Sequence, residues 1–171
     1  PGVEVQRTGS LGKTVSVRIR GANPNQVQVL IDGMRAKSTT LGSFEFSDLS
    51  LDAIDRIEIV RGPQSTLHGA DAIGGVIHVI TKKGSGSPTG LVSFEAGTQE
   101  TLREGAGVAG AFGRFNFSLF GSKLDSRGQE RTFDNDDADQ RAFAGRWGVD
   151  LPGQASAWAT FRYSKLDSDV P

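Results

Sequence analysis

The sequence has no cysteine, a single methionine and almost equal numbers of positive and negative side chains. Without cysteine the chain has no disulfide, no thiolate metal site and no thiol nucleophile. Lys plus Arg number 19 against 20 for Asp plus Glu, so no net positive field favours a nucleic-acid partner. The longest apolar-rich runs, 27–31 and 76–80, are far shorter than the roughly 20 residues that a membrane-spanning helix needs. Any passage through a membrane therefore has to use strands.

Catalytic motifs are also missing. No GxSxG nucleophile elbow occurs, and the glycine-rich stretch 69–75 has neither the Lys-Ser/Thr ending of a P-loop nor a GxGxxG spacing. His68 and His78 are ten residues apart, one in a turn and one in a strand-like run, which is more typical of core or surface histidines than of metal ligands. We therefore expect a protein that is not an enzyme.

What the sequence does contain is glycine and phenylalanine, 23 and 10 residues respectively, which favour tight turns and sheet. The first half, to about Gly84, reads as a small α+β unit. Its hydrophobic pattern predicts strands at 15–19, 27–31, 57–60 and 76–80 and a brief helical turn at 65–70. We expect the first two strands to form a hairpin, and the fourth, which is nearly all apolar, to be buried on both faces.

The second half has a different pattern. A linker by composition, Lys82 to Thr89, leads into five segments of about ten residues that alternate apolar and polar side chains, the length that a tilted strand needs to cross a bilayer. In one of them Phe115, Phe117 and Leu119 oppose Asn116 and Ser118. We place the domain boundary between these halves, giving domains 1–84 and 85–171.

The connections between the five segments differ in length. Those at 112–113 and 152–153 are short, whereas 125–139 is long and acidic, as expected if short turns face the periplasm and long loops face the outside. The turn at 98–100 departs from this rule, because it is short and would also face the outside. Alternation with hairpins is equally typical of a soluble sandwich or barrel. Pattern alone leaves both alternatives open.

Three stretches of the first half resemble the plug domain of TonB-dependent receptors. They are VQVLIDGMR at 27–35, IEIVRGPQS at 57–65 and HGADAIGGVIHVIT at 68–81, in the order and spacing of that family, with IRG at 19–21 before them. Within the family the sequence is most similar to the cobalamin transporter branch. The stretch TFDND at 132–136 also resembles a calcium-binding extracellular loop of that branch.

The resemblance implies an α+β plug domain followed by the first antiparallel strands of an incomplete transmembrane β-barrel, whose full form has about 22 strands closed around the plug. It also implies an outer-membrane location, a monomer and coupling to the TonB complex. Since the chain starts at Pro1 and stops at Pro171, we expect a fragment, with the TonB-binding segment and most barrel strands outside it.

A plug in a water-filled barrel has to be held by polar contacts. By resemblance, Arg20 and Arg61 should pair with carboxylates on the inner barrel wall, because the planar guanidinium grips a carboxylate with two hydrogen bonds, and Glu58 should join them. The alternative for each is a solvated surface residue. The resemblance also implies a plug motif with sharp chain reversals, for which glycine is suited: Asp32, Gly33, Gly62, Pro63, Gly69, Gly74 and Gly75.

Substrate should contact plug loops that point outward. One follows the Asp32-Gly33 strand, and by resemblance a second follows Gly62-Pro63. Their small hydroxyl and apolar side chains suit a neutral, bulky ligand and equally suit any exposed loop. The candidate contacts are Ser38, Thr39, Thr40, Leu41, Ser43, Thr66 and Leu67.

Four carboxylates lie close together in the long acidic connection: Asp134, Asp136, Asp137 and Asp139. Such a cluster of oxygens is what calcium prefers, although the spacing excludes an EF-hand because Asp139 stands where the glycine would be. The alternative is a solvated acidic loop. No cofactor is required.

The function that this sequence predicts is TonB-coupled uptake of a scarce small molecule through the outer membrane, cobalamin first, and siderophore-iron or haem as the alternative substrates. A secreted soluble calcium-binding β-protein is the alternative from a different class.

Overall fold

The structure, a computed structural model, describes residues 2–9, 13–38, 42–49, 51–98, 100–127, 138–153 and 155–168. Two compact units divide the chain. The first comprises Pro1–Gly9, Lys13–Ser47 and Ile54–Thr81, and the second Ser10–Gly12, Asp48–Ala53 and Lys82–Pro171. None of the described helices has the length and apolar character to cross a membrane.

The first unit is built on a four-stranded sheet. Its strands are β3 (Val27–Ile31), β4 (Met34–Arg35), β5 (Ile54–Arg61) and β6 (Gly75–Thr81), in the order β4-β3-β6-β5. The pair β3 and β6 is parallel, and the other pairs are antiparallel. The predicted helical turn forms α1 (Ser65–His68), and three-residue 3-10 helices lie at Pro24–Gln26 and Ala70–Ala72. The predicted α+β class is therefore confirmed.

The core of this unit lies between β6 and its neighbours. All five residues of β3 are buried, and the first three residues of β6 are buried as well. Val79 on β6 and Ile19 are fully buried. Since β3 is buried on both faces, its sequence is a nearly continuous apolar run without the alternation of a half-exposed strand. The expectation of a doubly buried strand at 76–80 holds for Val76, Ile77 and Val79, whereas His78 and Ile80 are half-buried.

The predicted hairpin between the first two strands is wrong. Residues 15–19 form β2 (Val15–Ile19), which pairs antiparallel with β1 (Val3–Arg7) in a separate two-stranded sheet. After β2 the chain turns at Arg20 and Gly21, whose φ values are 53° and 78°, so β3 starts in another direction and pairs with β6. Apolar runs predict that strands exist, but the choice of partner depends on which pairing buries more apolar surface.

The second unit is an antiparallel meander of five strands. They are β7 (Thr89–Ala96), β8 (Leu102–Phe112), β9 (Phe115–Ser126), β10 (Ala138–Asp150) and β11 (Ser156–Ser168), in the order β11-β10-β9-β8-β7. Their lengths of 8, 11, 12, 13 and 13 residues agree with the predicted strands. A 3-10 helix at Leu51–Ala53 belongs to this unit.

The register of the meander gives the sheet two unlike faces. On one face, called here the apolar face, large hydrophobic side chains are exposed; Val92 is 83% and Phe94 67% accessible. The opposite, polar face carries Ser93, Glu95, Asn116 and Ser118, and the last two are buried. The other large members of the apolar face are Val108, Phe112, Phe115, Phe117, Leu119, Phe143, Trp147, Val149, Phe161 and Tyr163.

This arrangement is the reverse of a water-soluble sheet. Exposed apolar surface costs about 25 cal/mol per Å² in water, and a contiguous patch of this kind marks contact with lipid or with another protein. The predicted alternation of the five segments is thus realised, with large apolar side chains exposed on one face and Asn116 and Ser118 buried on the other.

Candidate functional site

The loop-bearing end of the first unit is the first candidate site. The hairpin β3–β4 turns at Asp32 and Gly33, whose φ values of 49° and 84° are both left-handed, as a two-residue type I′ turn requires. Strand β4 then runs back along β3, and the loop after it reaches the end of the sheet from which α1 follows β5. The two predicted substrate loops therefore share one end of the sheet.

Two side chains tie these loops together. Arg35 Nη2 donates a hydrogen bond of 2.7 Å to the carbonyl oxygen of His68, and Lys37 Nζ lies 2.9 Å from Asp71 Oδ2. Gly69 faces the first of these contacts, because a Cβ there would lie 3.3 Å from Arg35 Nη2. The sequence offered no signal for either contact, since the partners are more than 30 residues apart.

The candidate contact residues differ in exposure. Thr66 and Leu67 are exposed, Leu67 at 78% of its surface, whereas Ser38 and Ser43 are half-buried. The loop of the two serines is closed by hydrogen bonds of 3.0 Å from Ser38 N to Ser43 O and from Gly42 N to Ser38 O. Thr39, Thr40 and Leu41 lie outside the described residues.

The opposite end of the sheet is held by Asp32. Its carboxylate accepts hydrogen bonds from Thr81 N at 2.9 Å and from Thr81 Oγ1 at 2.6 Å, and its own amide donates to Val79 O. Gly33 N donates to His78 Nε2 at 3.0 Å. This half-buried histidine therefore acts as a hydrogen-bond acceptor for the turn.

The remaining glycines of the predicted motif lie where the chain reverses or packs tightly. Gly62 has a φ of 112°, and its amide donates to Gly74 O at 2.9 Å, next to the exposed Pro63. A Cβ on Gly74 would lie 2.6 Å from the Cβ of Ala22, and one on Gly75 would collide with the carbonyl oxygen of Val60. Neither position has room for a side chain.

Two of the predicted anchor residues, Arg20 and Arg61, lie at the loop-bearing end of the sheet, and Glu58 lies farther back on β5. Arg20 is exposed in its left-handed turn, with Nη1 beside Gly62, and Arg61 is exposed at the end of β5. Glu58 accepts a hydrogen bond of 2.8 Å from Arg56 on its own strand. The hydrogen bonds that Arg56 donates to Glu58 and to Asp55 raise the pKa of Arg56. The anchoring role of these residues stays a prediction.

The second unit holds a cavity of about 340 Å³ on its polar face. Its lining includes Leu49, Leu51, Arg103, Ser122, Leu124 and Gln140. At its side Arg103 Nη2 lies 3.0 Å from Asp52 Oδ2, and only 27% and 20% of these two side chains is exposed. The two partners are 51 positions apart, so the sequence carried no local signal for this contact.

The predicted calcium ligands are mostly outside the described residues, which exclude Asp134, Asp136 and Asp137. Asp139 is described and accepts hydrogen bonds from Arg141 Nε and Nη2 at 3.1 and 3.2 Å. Over the described ranges, no three His, Cys, Asp or Glu side chains are grouped so as to hold a metal ion. Calcium binding stays a prediction.

Comparisons with a family model and with curated proteins agree on one family. Residues 1–76 match the family model described as "TonB-dependent Receptor Plug Domain". The vitamin B12 transporter BtuB of Photobacterium profundum is 35% identical over 80% of this chain, and that of Vibrio vulnificus is 44% identical over 57%. The chain spans only 23% and 16% of the length of these relatives.

Solved structures with the same fold cover nearly the whole chain. The pyoverdine outer membrane receptor FpvA of Pseudomonas aeruginosa superposes with a TM-score of 0.80 at 20% identity, over 97% of this chain and 24% of its own. The siderophore receptor PirA of Acinetobacter baumannii gives 0.74 at 21% identity, over 97% of this chain and 28% of its own. At this level of identity the structural similarity shows the fold alone, which is a plug followed by antiparallel barrel strands.

Proposed function

This chain belongs to the TonB-dependent receptors, and from that premise we propose that the complete protein takes up cobalamin in a TonB-coupled, energy-driven process. TonB-dependent receptors are outer-membrane proteins and transporters, not enzymes. The observation that carries the choice of cobalamin is the 35% identity to a vitamin B12 transporter over 80% of the chain. The siderophore receptors, at 20–21% identity, support the fold and say little about the substrate.

The exposed apolar face supports a location in lipid rather than the alternative of a secreted soluble protein. On this face Val92, Phe94 and Phe115 are 83%, 67% and 66% exposed. In lipid this surface is solvated by acyl chains, and the three inner strands β8, β9 and β10 pair with a neighbour on both sides. Strand lengths of 8–13 residues fit a tilted crossing of the bilayer.

Within this function, the loops joined by the Arg35–His68 and Lys37–Asp71 contacts are the proposed plug surface for the substrate. Leu67 offers an exposed apolar side chain and Thr66 an exposed hydroxyl to a bulky ligand. Small polar groups around one apolar contact suit a large neutral molecule better than a compact ion. Most remaining contacts would come from parts of the complete protein outside this chain.

Equilibrium binding of cyanocobalamin to the complete detergent-purified protein tests the substrate. We expect saturable binding, weakened about tenfold or more by Thr66→Ala with Leu67→Ala, because an apolar contact and a hydrogen bond are lost together. Val5→Ala is the matched control, since Val5 is an exposed apolar residue of β1 (65%) and should leave affinity unchanged.

The same assay separates the alternatives. Saturable binding of a ferric siderophore without binding of cyanocobalamin would replace cobalamin by the runner-up substrate. Repeating the titration with calcium and then with a chelator tests the proposed calcium ligands Asp134, Asp136, Asp137 and Asp139. If the affinity for cyanocobalamin does not change when calcium is chelated, calcium binding by these residues has no role in substrate binding.

The anchoring role of Arg20, Arg61 and Glu58 is part of the same proposal. A charge reversal, Arg61→Glu, should loosen the plug and raise the ion conductance of the receptor in planar bilayers. Arg7→Glu on the exposed strand β1 is the control. Equal conductance of the Arg61 variant and the unchanged protein would argue against anchoring through this side chain.

A further inference from the structure

His78 accepts the hydrogen bond that closes the β3–β4 turn. Gly33 N donates to His78 Nε2 at 3.0 Å, and the imidazole is half-buried beside the turn. A ring nitrogen of histidine accepts a hydrogen bond only when it carries no proton. The observed turn therefore requires the neutral imidazole, with its N–H hydrogen on Nδ1.

The turn depends on this contact because its backbone is held in an unfavourable conformation. Asp32 has a φ of 49°, which a residue with a Cβ adopts only at a cost in energy. Thr81 holds the turn through the Asp32 carboxylate, and His78 holds it through the Gly33 amide. Strand β4, which follows the turn, has only two residues and adds little rigidity. Loss of the His78 contact therefore leaves the turn held through Asp32 alone.

A protonated His78 has a different neighbour to bind. Glu58 on β5 is the register partner of His78, so the two side chains lie on the same face of the sheet. Glu58 Oε1 accepts a hydrogen bond of 2.8 Å from Arg56 Nε, and a carboxylate has a second oxygen that can accept another. The imidazolium donates from both nitrogens, so it is attracted to this carboxylate and no longer accepts from Gly33. The neutral and the charged ring therefore favour different partners.

Strand β4 connects this turn to the candidate substrate loops. Arg35, the last residue of β4, donates to His68 O at 2.7 Å. Lys37, four positions after Gly33, lies 2.9 Å from Asp71 Oδ2. These two contacts join the loops, so a shift of β4 when the turn opens is transmitted to both of them.

We propose that His78 is a pH-sensitive switch for the substrate loops. Protonation of the ring breaks the Gly33 contact and draws the ring toward Glu58. Strand β4 then loosens and the contacts of Arg35 and Lys37 weaken, so the substrate is held less tightly in acid. The effect on the substrate rests on the proposed function, whereas the effect on the turn is independent of it.

The other charged groups around His78 do not change charge over the same range. Imidazole is the side chain whose charge ordinarily changes between about pH 8 and pH 6, whereas carboxylates and guanidinium groups stay charged. The charged groups on the elements packed around His78 are of these two kinds: Glu58 and Arg56 on β5, Arg35 on β4, Asp32 in the turn and Asp71 in the 3-10 helix at Ala70–Ala72.

A nitroxide label beside the turn tests the switch in the complete detergent-purified receptor. Met34 is 54% exposed and directly follows Gly33, so Met34→Cys can carry the label in a receptor without other cysteines. We expect the mobility of the label to rise as the pH falls from about 8 to about 6. The affinity of the unlabelled receptor for cyanocobalamin should fall about fivefold over the same range, the effect of about one lost hydrogen bond.

Three variants identify the group that responds. His78→Gln should abolish both changes, because the amide oxygen accepts from Gly33 N at every pH. Glu58→Gln serves if that variant does not fold: without the carboxylate that attracts the imidazolium, both changes should move to lower pH. His68→Gln is the matched control, because it removes the ring of the chain's other histidine while the main-chain oxygen still accepts from Arg35. Both changes should remain in it.

Label mobility that is independent of pH, or that changes equally in the His78→Gln variant, would overturn the proposal. If cyanocobalamin binds with the same affinity at both pH values, the link from the turn to the substrate loops is wrong. A receptor whose label responds to pH only when His78 is present, but which binds no cyanocobalamin at either pH, would contradict the proposed function alone.

Discussion

The two units of this chain place their apolar side chains in opposite ways. In the first unit Ile19 and Val79 are fully buried in a layered core, whereas in the second unit Val92 and Phe94 are the most exposed of the large residues on a two-faced sheet. Both units follow the same rule of transferring apolar surface away from water. The difference teaches that the first unit supplies its own apolar environment and that the second relies on the bilayer for one.

A charge introduced on the apolar face of the second unit should have the largest effect on stability, and the same charge on the polar face a small one. Val108→Arg, on the apolar face, should lower the free energy of unfolding by about 2–4 kcal/mol, the cost of a cation facing the middle of a bilayer. Leu91→Arg is the control because Leu91 is on the adjoining strand, is 51% exposed and belongs to the polar face; it should cost below about 1 kcal/mol. Denaturant titration in lipid vesicles measures both.

Equal losses for the two arginine variants would contradict the assignment of faces. A larger loss for Leu91→Arg would reverse it.

Glycines at points of close backbone approach occur in both units, and Gly84 of the linker tests this feature. A Cβ on Gly84 would collide with the carbonyl oxygens of Phe117 and Gly110, so Gly84→Ala should cost about 1–3 kcal/mol as the linker is pushed away from the strands. Gly90→Ala, where the nearest atom is 3.8 Å away, should change stability little. Thermal unfolding of the purified variants in detergent measures the difference, and similar melting temperatures would show that the linker does not pack as described.

The contribution of an ion pair to stability should differ between the units, because the paired side chains differ in exposure. Asp52 and Arg103 of the second unit are mostly covered, whereas Arg56 and Glu58 of the first are 57% and 51% exposed. Double-mutant cycles with Asp52→Asn and Arg103→Gln, and with Arg56→Gln and Glu58→Gln, should give coupling of about 1–2 kcal/mol for the first pair and below about 0.5 for the second. A larger coupling in the exposed pair would mean that burial does not set the strength of these contacts.

Local pattern was enough to predict most strands of both units, although it predicted neither β1 nor β4. The nearly continuous apolar run at 76–80 became the central strand β6, and the alternation around Phe115, Phe117 and Leu119 became β9 with those residues on one face. These signals depend only on neighbours in sequence, because burial on one or both faces sets the period of a strand.

Pairing could not be predicted in the same way. The hairpin expected between 15–19 and 27–31 is replaced by two different pairings, because partner choice depends on the summed burial of residues distant in sequence. The Asp52–Arg103 contact has the same origin. A shift of one residue in the pairing of β9 with β10 would move Lys123 to the other face. The residues near Lys123 in the sequence do not predict which pairing forms.

The central claim is that the apolar face of the meander contacts lipid, and the chain's lack of cysteine makes it directly testable. Single cysteines at 89–96 in the complete receptor can each carry a nitroxide, and its accessibility to oxygen, which concentrates in hydrocarbon, is then compared with that to a water-soluble nickel complex. The account predicts a period of two along β7, with oxygen maxima at Val92 and Phe94 and minima at Leu91 and Ser93. Oxygen accessibility without this period, or with maxima at Leu91 and Ser93, would contradict it.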